Sequence, residues 1–197
     1  MKRLAVLVSG NGSNLQAILD ACASGSVNAH VVAVVSDKPD AFALTRATDS
    51  KVEFVCAHTK KPGGDRRAWD ESLADLVASR KPDLVVLAGF MRILSNAFLN
   101  RFPGRVINLH PALPGELPGL HAIERAYREF TLGCRSGSGA MVHLVPDEGI
   151  DSGPVLGSVT VALSAGDTLE SFAERMHAAE HNLLVSILSR LADEVSP

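Results

Sequence analysis

The 197 residues, 46% hydrophobic and 21% charged, suffice for one full α/β core and leave no room for a second domain, so the expectation is a single domain over 1–197. A formal net charge of -3 with scattered basic residues argues against a nucleic-acid partner, and no apolar run reaches the roughly 20 residues of a membrane span. Cys22, Cys56 and Cys134 are widely separated and odd in number, which fits reduced thiols in a cytoplasmic protein and neither a disulfide frame nor a zinc site.

Leu4 to Val8 is a short apolar run ending at Ser9-Gly10. It is too short for a signal-peptide core and reads as a strand covered on both faces. Ser9-Gly10-Asn11-Gly12-Ser13-Asn14 then turns the chain into a helix over about Leu15 to Ala23. Backbone N–H groups at such a helix start, with side chains missing at Gly10 and Gly12, suit a phosphate monoester, and Ser13 and Asn14 offer further donors. Two alternatives stay open: a tight structural turn, or a dinucleotide fingerprint with Asp37 on the ribose, although Leu15 stands where the third glycine belongs.

Val31 to Val35 and Glu53 to Val55 read as the next strands, with a helix from Ala41 to Thr48 between them. A turn at Pro62-Gly63-Gly64 precedes a helix from Arg66 to Ser79, where Trp69, Leu73, Leu76 and Val77 recur at helical spacing and make Trp69 core or groove lining. Leu84 to Ala88 is the fourth strand. The loop that leaves it, Gly89-Phe90-Met91-Arg92-Ile93-Leu94, lies at the strand end where open α/β sheets bind ligands, and its apolar side chains suit a flat heterocycle such as a pterin or plain packing on the sheet.

A short helix near Asn96 to Asn100 leads to a strand from Val106 to Leu109, which delivers Asn108 and His110. A proline- and glycine-rich segment, a helix from Ala122 to Phe130 and a glycine-rich connection over 133–139 follow. Ala140 to Val145 and Val155 to Leu163 read as strands around a loop carrying Asp151, and a last helix capped by Asp167 or Thr168 runs to about Glu194. The alternation gives an α/β fold with a doubly wound, mostly parallel sheet.

An amide, an imidazole and a carboxylate at strand and loop ends are the parts needed to move an acyl group between two nitrogens. Asn108 can donate to the oxygen of the tetrahedral species, His110 can donate or shuttle a proton, and Asp151 can hold the imidazole in its charged form and assist proton removal. No serine elbow or base-paired cysteine supports covalent catalysis. His177-Ala178-Ala179-Glu180-His181 matches the spacing of inverted zinc peptidases, but a third ligand is missing. Separate structural histidines, with Glu180 reaching the crevice, are the reading taken.

The runs Val8 to Ile18 and Leu87 to Ser95, then Asn108-Leu109-His110-Pro111 and Asp151-Ser152-Gly153-Pro154-Val155, closely resemble the folate-dependent phosphoribosylglycinamide formyltransferase family, over nearly the whole chain and in order. The resemblance implies a formyltransferase fold of seven strands with one antiparallel, in a monomer or homodimer. It implies transfer of the formyl group of 10-formyltetrahydrofolate to the amine of glycinamide ribonucleotide in purine biosynthesis, without a metal. It further implies that Asn108, His110 and Asp151 carry the transfer, that Gly12, Ser13 and Asn14 hold the phosphate, that Arg66, Met91, Arg92, Ile93 and Leu94 line the folate site, and that Glu180 contacts the glycinamide substrate. Two positions depart from the family pattern: Glu116 stands where a basic or neutral residue is usual, and Met141 where a hydroxyl residue precedes Val142-His143. The similar formyltetrahydrofolate hydrolases and methionyl-tRNA formyltransferases carry extra domains, for which the expectation here is that none is present.

Overall fold

Leu4 to Val8 set the centre of the molecule: all five are at most 2% exposed and alternate between two apolar layers, each buried Leu or Val side chain contributing about 1.5 to 3 kcal/mol by leaving water. In the computed structural model, which describes residues 1–61 and 63–194, this strand is β1 (Lys2–Val8), followed by α1 (Ser13–Ser24), β2 (Ala29–Ser36), α2 (Phe42–Asp49), β3 (Val55–Ala57) and α3 (Arg66–Ala78). Then come β4 (Leu84–Leu87), α4 (Asn96–Leu99), β5 (Val106–His110), α5 (Ala122–Thr131), β6 (Gly137–Leu144), β7 (Val155–Ala162) and α6 (Leu169–Asp193). Of the turn expected at 62–64, Pro62 lies outside the described residues.

The strands form one sheet in the order β3-β2-β1-β4-β5-β6-β7. β6 runs antiparallel to both β5 and β7, while the other pairings are parallel. This is the seven-stranded, mostly parallel sheet with one antiparallel member that the sequence led us to expect. Leu4, Val6 and Val8 pack with Leu15 and Ile18 of α1 and Leu184, Ile187 and Leu188 of α6, whereas Ala5 and Leu7 pack with Leu73 and Val77 of α3 and Phe98 of α4. Helices therefore cover both faces, and the carboxyl ends of β1, β4 and β5 open on the same edge.

Several boundaries shift by one to three residues, and two of the shifts have clear physical reasons. β6 begins at Gly137, inside the segment read as a glycine-rich loop, because a Cβ at Gly139 would lie only 2.7 Å from a methyl of Leu113 and would overlap the Val159 carbonyl oxygen; glycine in a strand here marks close approach of neighbouring chain. β3 is shifted to Val55–Ala57 because its pairing with β2 starts at Val34↔Val55. On α6, Thr168 is the cap: its side chain accepts from Ser171 N–H, and the Ser171 hydroxyl accepts from Thr168 N–H. No helix among the described residues is long and apolar enough to cross a membrane.

Candidate active site

β5 presents Asn108 and His110 on one face of the sheet, two residues apart. The antiparallel register with β6 sets His143 opposite Asn108 and Met141 opposite His110. Asp151 enters from the loop 145–154 with φ 50, a left-handed conformation that costs of order 1 kcal/mol for a side-chain-bearing residue. Gly153 makes this entry possible. A Cβ there would overlap the Leu144 carbonyl oxygen, so only glycine lets the loop press against β6, where Leu144 N–H donates to Pro154 O at 2.8 Å.

The three residues meet. Asn108 Nδ2 donates to Asp151 Oδ1 at 3.0 Å, Asp151 Oδ2 accepts from Gly119 N–H at 2.8 Å, and His110 Nδ1 lies 3.3 Å from that same oxygen. His143 was not read from sequence as a site residue, yet its Nε2 lies 3.2 Å from Asn108 Nδ2 and 3.5 Å from Asp151 Oδ1. Its Nδ1 sits 2.8 Å from Leu144 O, and a carbonyl only accepts, so the ring carries its hydrogen on Nδ1 and Nε2 accepts from Asn108. Both amide hydrogens of Asn108 are thereby engaged.

His110 is 4% exposed, and its Nε2 lies 3.0 Å from Leu117 O, which places a hydrogen on Nε2. Burial pushes this imidazole below its usual pKa of 6.5, although Asp151 and the Leu117 carbonyl pull the other way. The resting ring is therefore neutral at pH 7, and the charged form expected from the sequence is one that Asp151 favours without winning against desolvation. For Asp151, burial raises the pKa, but the contact with His143, the Gly119 amide and the neighbouring His110 side chain outweigh it and hold the carboxyl below its ordinary value. Met141, 1% exposed beside His110, is part of the apolar wall.

Gly12 caps α1 with φ 78, and no side chain occupies the cap position. A Cβ on Gly12 would fall 2.6 Å from Ala43 Cβ, whereas one on Gly10 would meet nothing within 4 Å. Gly12 is thus required by packing against α2, and Gly10 leaves open space over the turn. The first turn of α1 carries no acid, so its N–H groups face no competing carboxylate. Asn14 Oδ1 is buried without a partner among the described residues, and Asn11 is held by Arg46 at 2.9 and 3.1 Å.

Beside this turn a groove of about 400 Å³ is lined by Lys60, Arg66, Trp69, Asp70, Met91, Arg92 and Ile93. Met91 and Ile93 expose about half their surface, an apolar face with cations around it. Leu94 is buried in the core, so its side chain does not line the groove. Arg92 also differs from a free ligand: its Nε donates to Asp37 Oδ2 at 2.7 Å, and its guanidinium sits 5.3 Å from the Trp69 ring centre. Ser9 Oγ donates to Asp37 Oδ1 at 2.6 Å and accepts from Met91 N–H at 2.8 Å. Asp37 thus clips the end of β1 to the loop after β4, and both its oxygens are engaged. Arg66 donates to Ile93 O at 3.0 Å. A second cavity of about 410 Å³, lined among others by Lys2, Leu84, Arg105 and Leu188, lies at the amino ends of β1 and β4, away from these residues.

Glu180 on α6 is 4% exposed, and its charge reaches His110. His177 bonds to it at 2.7 Å. Among the described residues no group of three or more His, Cys, Asp or Glu side chains is placed to hold a metal. Glu116 forms an ion pair with Arg135, which also binds Glu129 Oε2 at 2.9 Å and Gly137 O at 3.2 Å. The acid at this position is therefore paired within the fold.

An uncapped helix start, an apolar groove and an Asn-His-Asp cluster thus lie at one edge of an open α/β sheet. Residues 2–188 match the profile of the family described as Formyl transferase. Phosphoribosylglycinamide formyltransferase of Escherichia coli (strain K12) is 41% identical over 96% of this chain and 87% of its own length, and that of Mycobacterium tuberculosis (strain ATCC 25618 / H37Rv) is 43% identical over 96% and 85%. The crystal structure of glycinamide ribonucleotide transformylase 1 from Symbiobacterium toebii superposes with a TM-score of 0.89 at 36% identity, covering 98% of this chain and 88% of that one. The chain belongs to the formyl transferase family, within its phosphoribosylglycinamide formyltransferase group.

Proposed function

We propose that the chain, acting as a single domain, transfers the formyl group of 10-formyltetrahydrofolate to the amine of glycinamide ribonucleotide, as a cytoplasmic step of purine biosynthesis. The observation that carries this reading is the meeting of Asn108, His110 and Asp151 beside an open helix start and an apolar groove. The groove fits the donor: exposed Met91 and Ile93 offer a flat apolar contact, the buried Trp69 Nε1 has no partner among the described residues, and Lys60, with Arg66 once it exchanges its Glu148 partner, suits a carboxylate tail. The bound donor supplies the formyl carbon. Arg92 and Leu94 act there through their backbone, since Asp37 holds one side chain and the core the other. Gly12, Ser13 and Asn14 receive the phosphate, and Glu180 meets the glycinamide portion.

During transfer one C–N bond forms and another breaks, the carbonyl oxygen gains charge, and one proton passes from the attacking amine to the departing nitrogen. Asn108 turns an amide hydrogen to that oxygen, and His110 Nε2–H, held at rest by Leu117 O, serves as a second donor once an oxygen of substrate replaces the carbonyl. Asp151, 3.3 Å from His110 Nδ1, stabilises a proton arriving on the ring, so the pair stores the amine's proton. No metal has a part in these steps, and a monomer or a homodimer would serve equally.

The test is the absorbance change when purified protein meets the donor with and without glycinamide ribonucleotide. Deformylation dependent on the ribonucleotide is expected, and His110→Ala should lower turnover by at least about 10²-fold with the fold retained. Formate release without the ribonucleotide, or near-normal turnover in the variant, would overturn the reading.

A further inference from the structure

The HxxEH run leaves one arrangement that the transfer chemistry does not use. Glu180 interrupts the apolar stripe Phe172, Met176, Leu184 and Leu188 on α6, so a carboxylate stands where every neighbour at the same spacing is core. His177, one turn earlier, places Nδ1 2.7 Å from Glu180 Oε2. The carboxylate side chain is 5% exposed and the imidazole 50%. One oxygen of a buried acid is thereby tied to a solvent-reaching partner, and among the described residues nothing hydrogen-bonds the other, Oε1.

We infer that His177 is a positioning residue for the acceptor: it fixes Glu180 Oε2, turns Oε1 toward the hydrogen-bond donors of the ribonucleotide, and offsets the carboxylate's charge as the phosphorylated substrate arrives. The inference rests on the reading of Glu180 as an acid that meets the acceptor. The charge balance favours it, because the crevice already holds Asp151, and a phosphate-bearing ligand approaching two carboxylates gains from a cation on one of them. The titratable groups around the pair are Glu124 from α5, His110 from β5 and His181 on α6 itself. The hydrogen bond to Glu180 raises the His177 pKa above 6.5, opposed by burial and helped by the charges of Glu180 and Glu124. As pH rises through that raised value the imidazole loses its charge, and the acceptor KM climbs.

The experiment is steady-state kinetics of formyl transfer between pH 6 and 9, with each substrate varied in turn, on wild type, His177→Ala, His177→Gln and Glu180→Gln. His177→Ala should raise the acceptor KM about tenfold, the worth of one hydrogen bond to a charged group, with kcat and the donor KM changed less than about twofold. His177→Gln, which keeps a donor at similar reach but no titrating charge, should recover most of the affinity and lose the wild-type pH step in acceptor KM. An unaltered acceptor KM in His177→Ala while Glu180→Gln raises it would sink this inference alone. No effect of Glu180→Gln would sink the reading of Glu180 together with it. Parallel loss of kcat and both KM values in His177→Ala, or a pH step that persists in His177→Gln, would make the role merely structural and equally overturn the proposal.

Discussion

Gly153→Ala tests the link between backbone packing and chemistry without touching a reacting group. The added Cβ would sit far inside the contact distance of the Leu144 carbonyl oxygen and 2.9 Å from its carbon, whereas carbon and oxygen tolerate about 3.3 Å. The loop and the end of β6 must therefore part by more than about 1 Å, against the Leu144–Pro154 hydrogen bond. Overpacking of this kind costs about 1 to 3 kcal/mol, or a melting temperature lower by about 5 °C for a chain of this size. The larger effect is on Asp151, two residues away: displacement by about 1 Å loosens its bonds to Asn108 and the Gly119 amide, and misplacement on that scale costs about 10²-fold in rate. Thermal melts followed by circular dichroism, alongside kcat for formyl transfer, give both numbers. A variant with normal melting and normal turnover would show that the loop does not need the close approach and would refute the argument.

Asp37→Ala strands Arg92 Nε and frees Ser9 Oγ, so it should cost about 1.5 to 3 kcal/mol and weaken donor binding more than acceptor binding; the single tryptophan, Trp69, lies in the groove, and its fluorescence on donor titration reports the change, with equal affinities counting against the clip. Ser13→Ala should raise the acceptor KM while kcat holds, and an unchanged KM would move the phosphate elsewhere. Stability should fall as pH drops below about 6.5, because burial keeps His110 less basic when folded than when unfolded and the unfolded chain takes the proton first. The Asp151 contribution, whose folded pKa is depressed, is present above 3.8 and is lost only as pH falls through the lower folded value. His177, with its raised pKa, contributes stability that is full below 6.5 and lost as pH rises through the folded value. Urea midpoints from pH 7 to pH 5 should therefore fall less for His110→Gln than for wild type, and parallel curves would contradict the burial argument.

The strands were legible because each buried one is a short apolar run closed by glycine or a polar residue, and Asn108 and His110 stood out because they end such a run, whereas Asp151 in its Gly-containing loop reads equally as a turn residue and is marked only by the order of motifs shared with the family. His143 was not legible as a partner of Asn108, since its place depends on the β5–β6 register, a pairing between distant stretches that local pattern does not contain. The hold of Leu117 O on His110 comes from a backbone atom and leaves no side-chain signature at all. Glu180 did carry a local signal: it falls four residues after Met176 and four before Leu184, both fully buried, so helical spacing alone marks it as a charge inside the core stripe. The neutral resting state of His110 needed the whole apolar surround, Met141 included. Glu116 departs from the family pattern in the sequence and is Arg135's partner in the structure, a pairing that only the fold brings together.

The order of the site along the chain has a consequence for recombination. Everything assigned to recognising the phosphate and the donor, from Ser9 to Leu94, precedes the short α4, and everything assigned to proton movement and to the glycinamide end, from Asn108 to Glu180, follows it. The two groups are joined through residues 100–105, where the chain crosses from α4 to β5. A crossover placed there between two relatives would exchange phosphate and donor recognition as one block and the reaction machinery with the glycinamide contact as another, so that donor affinity and rate would be inherited from different parents.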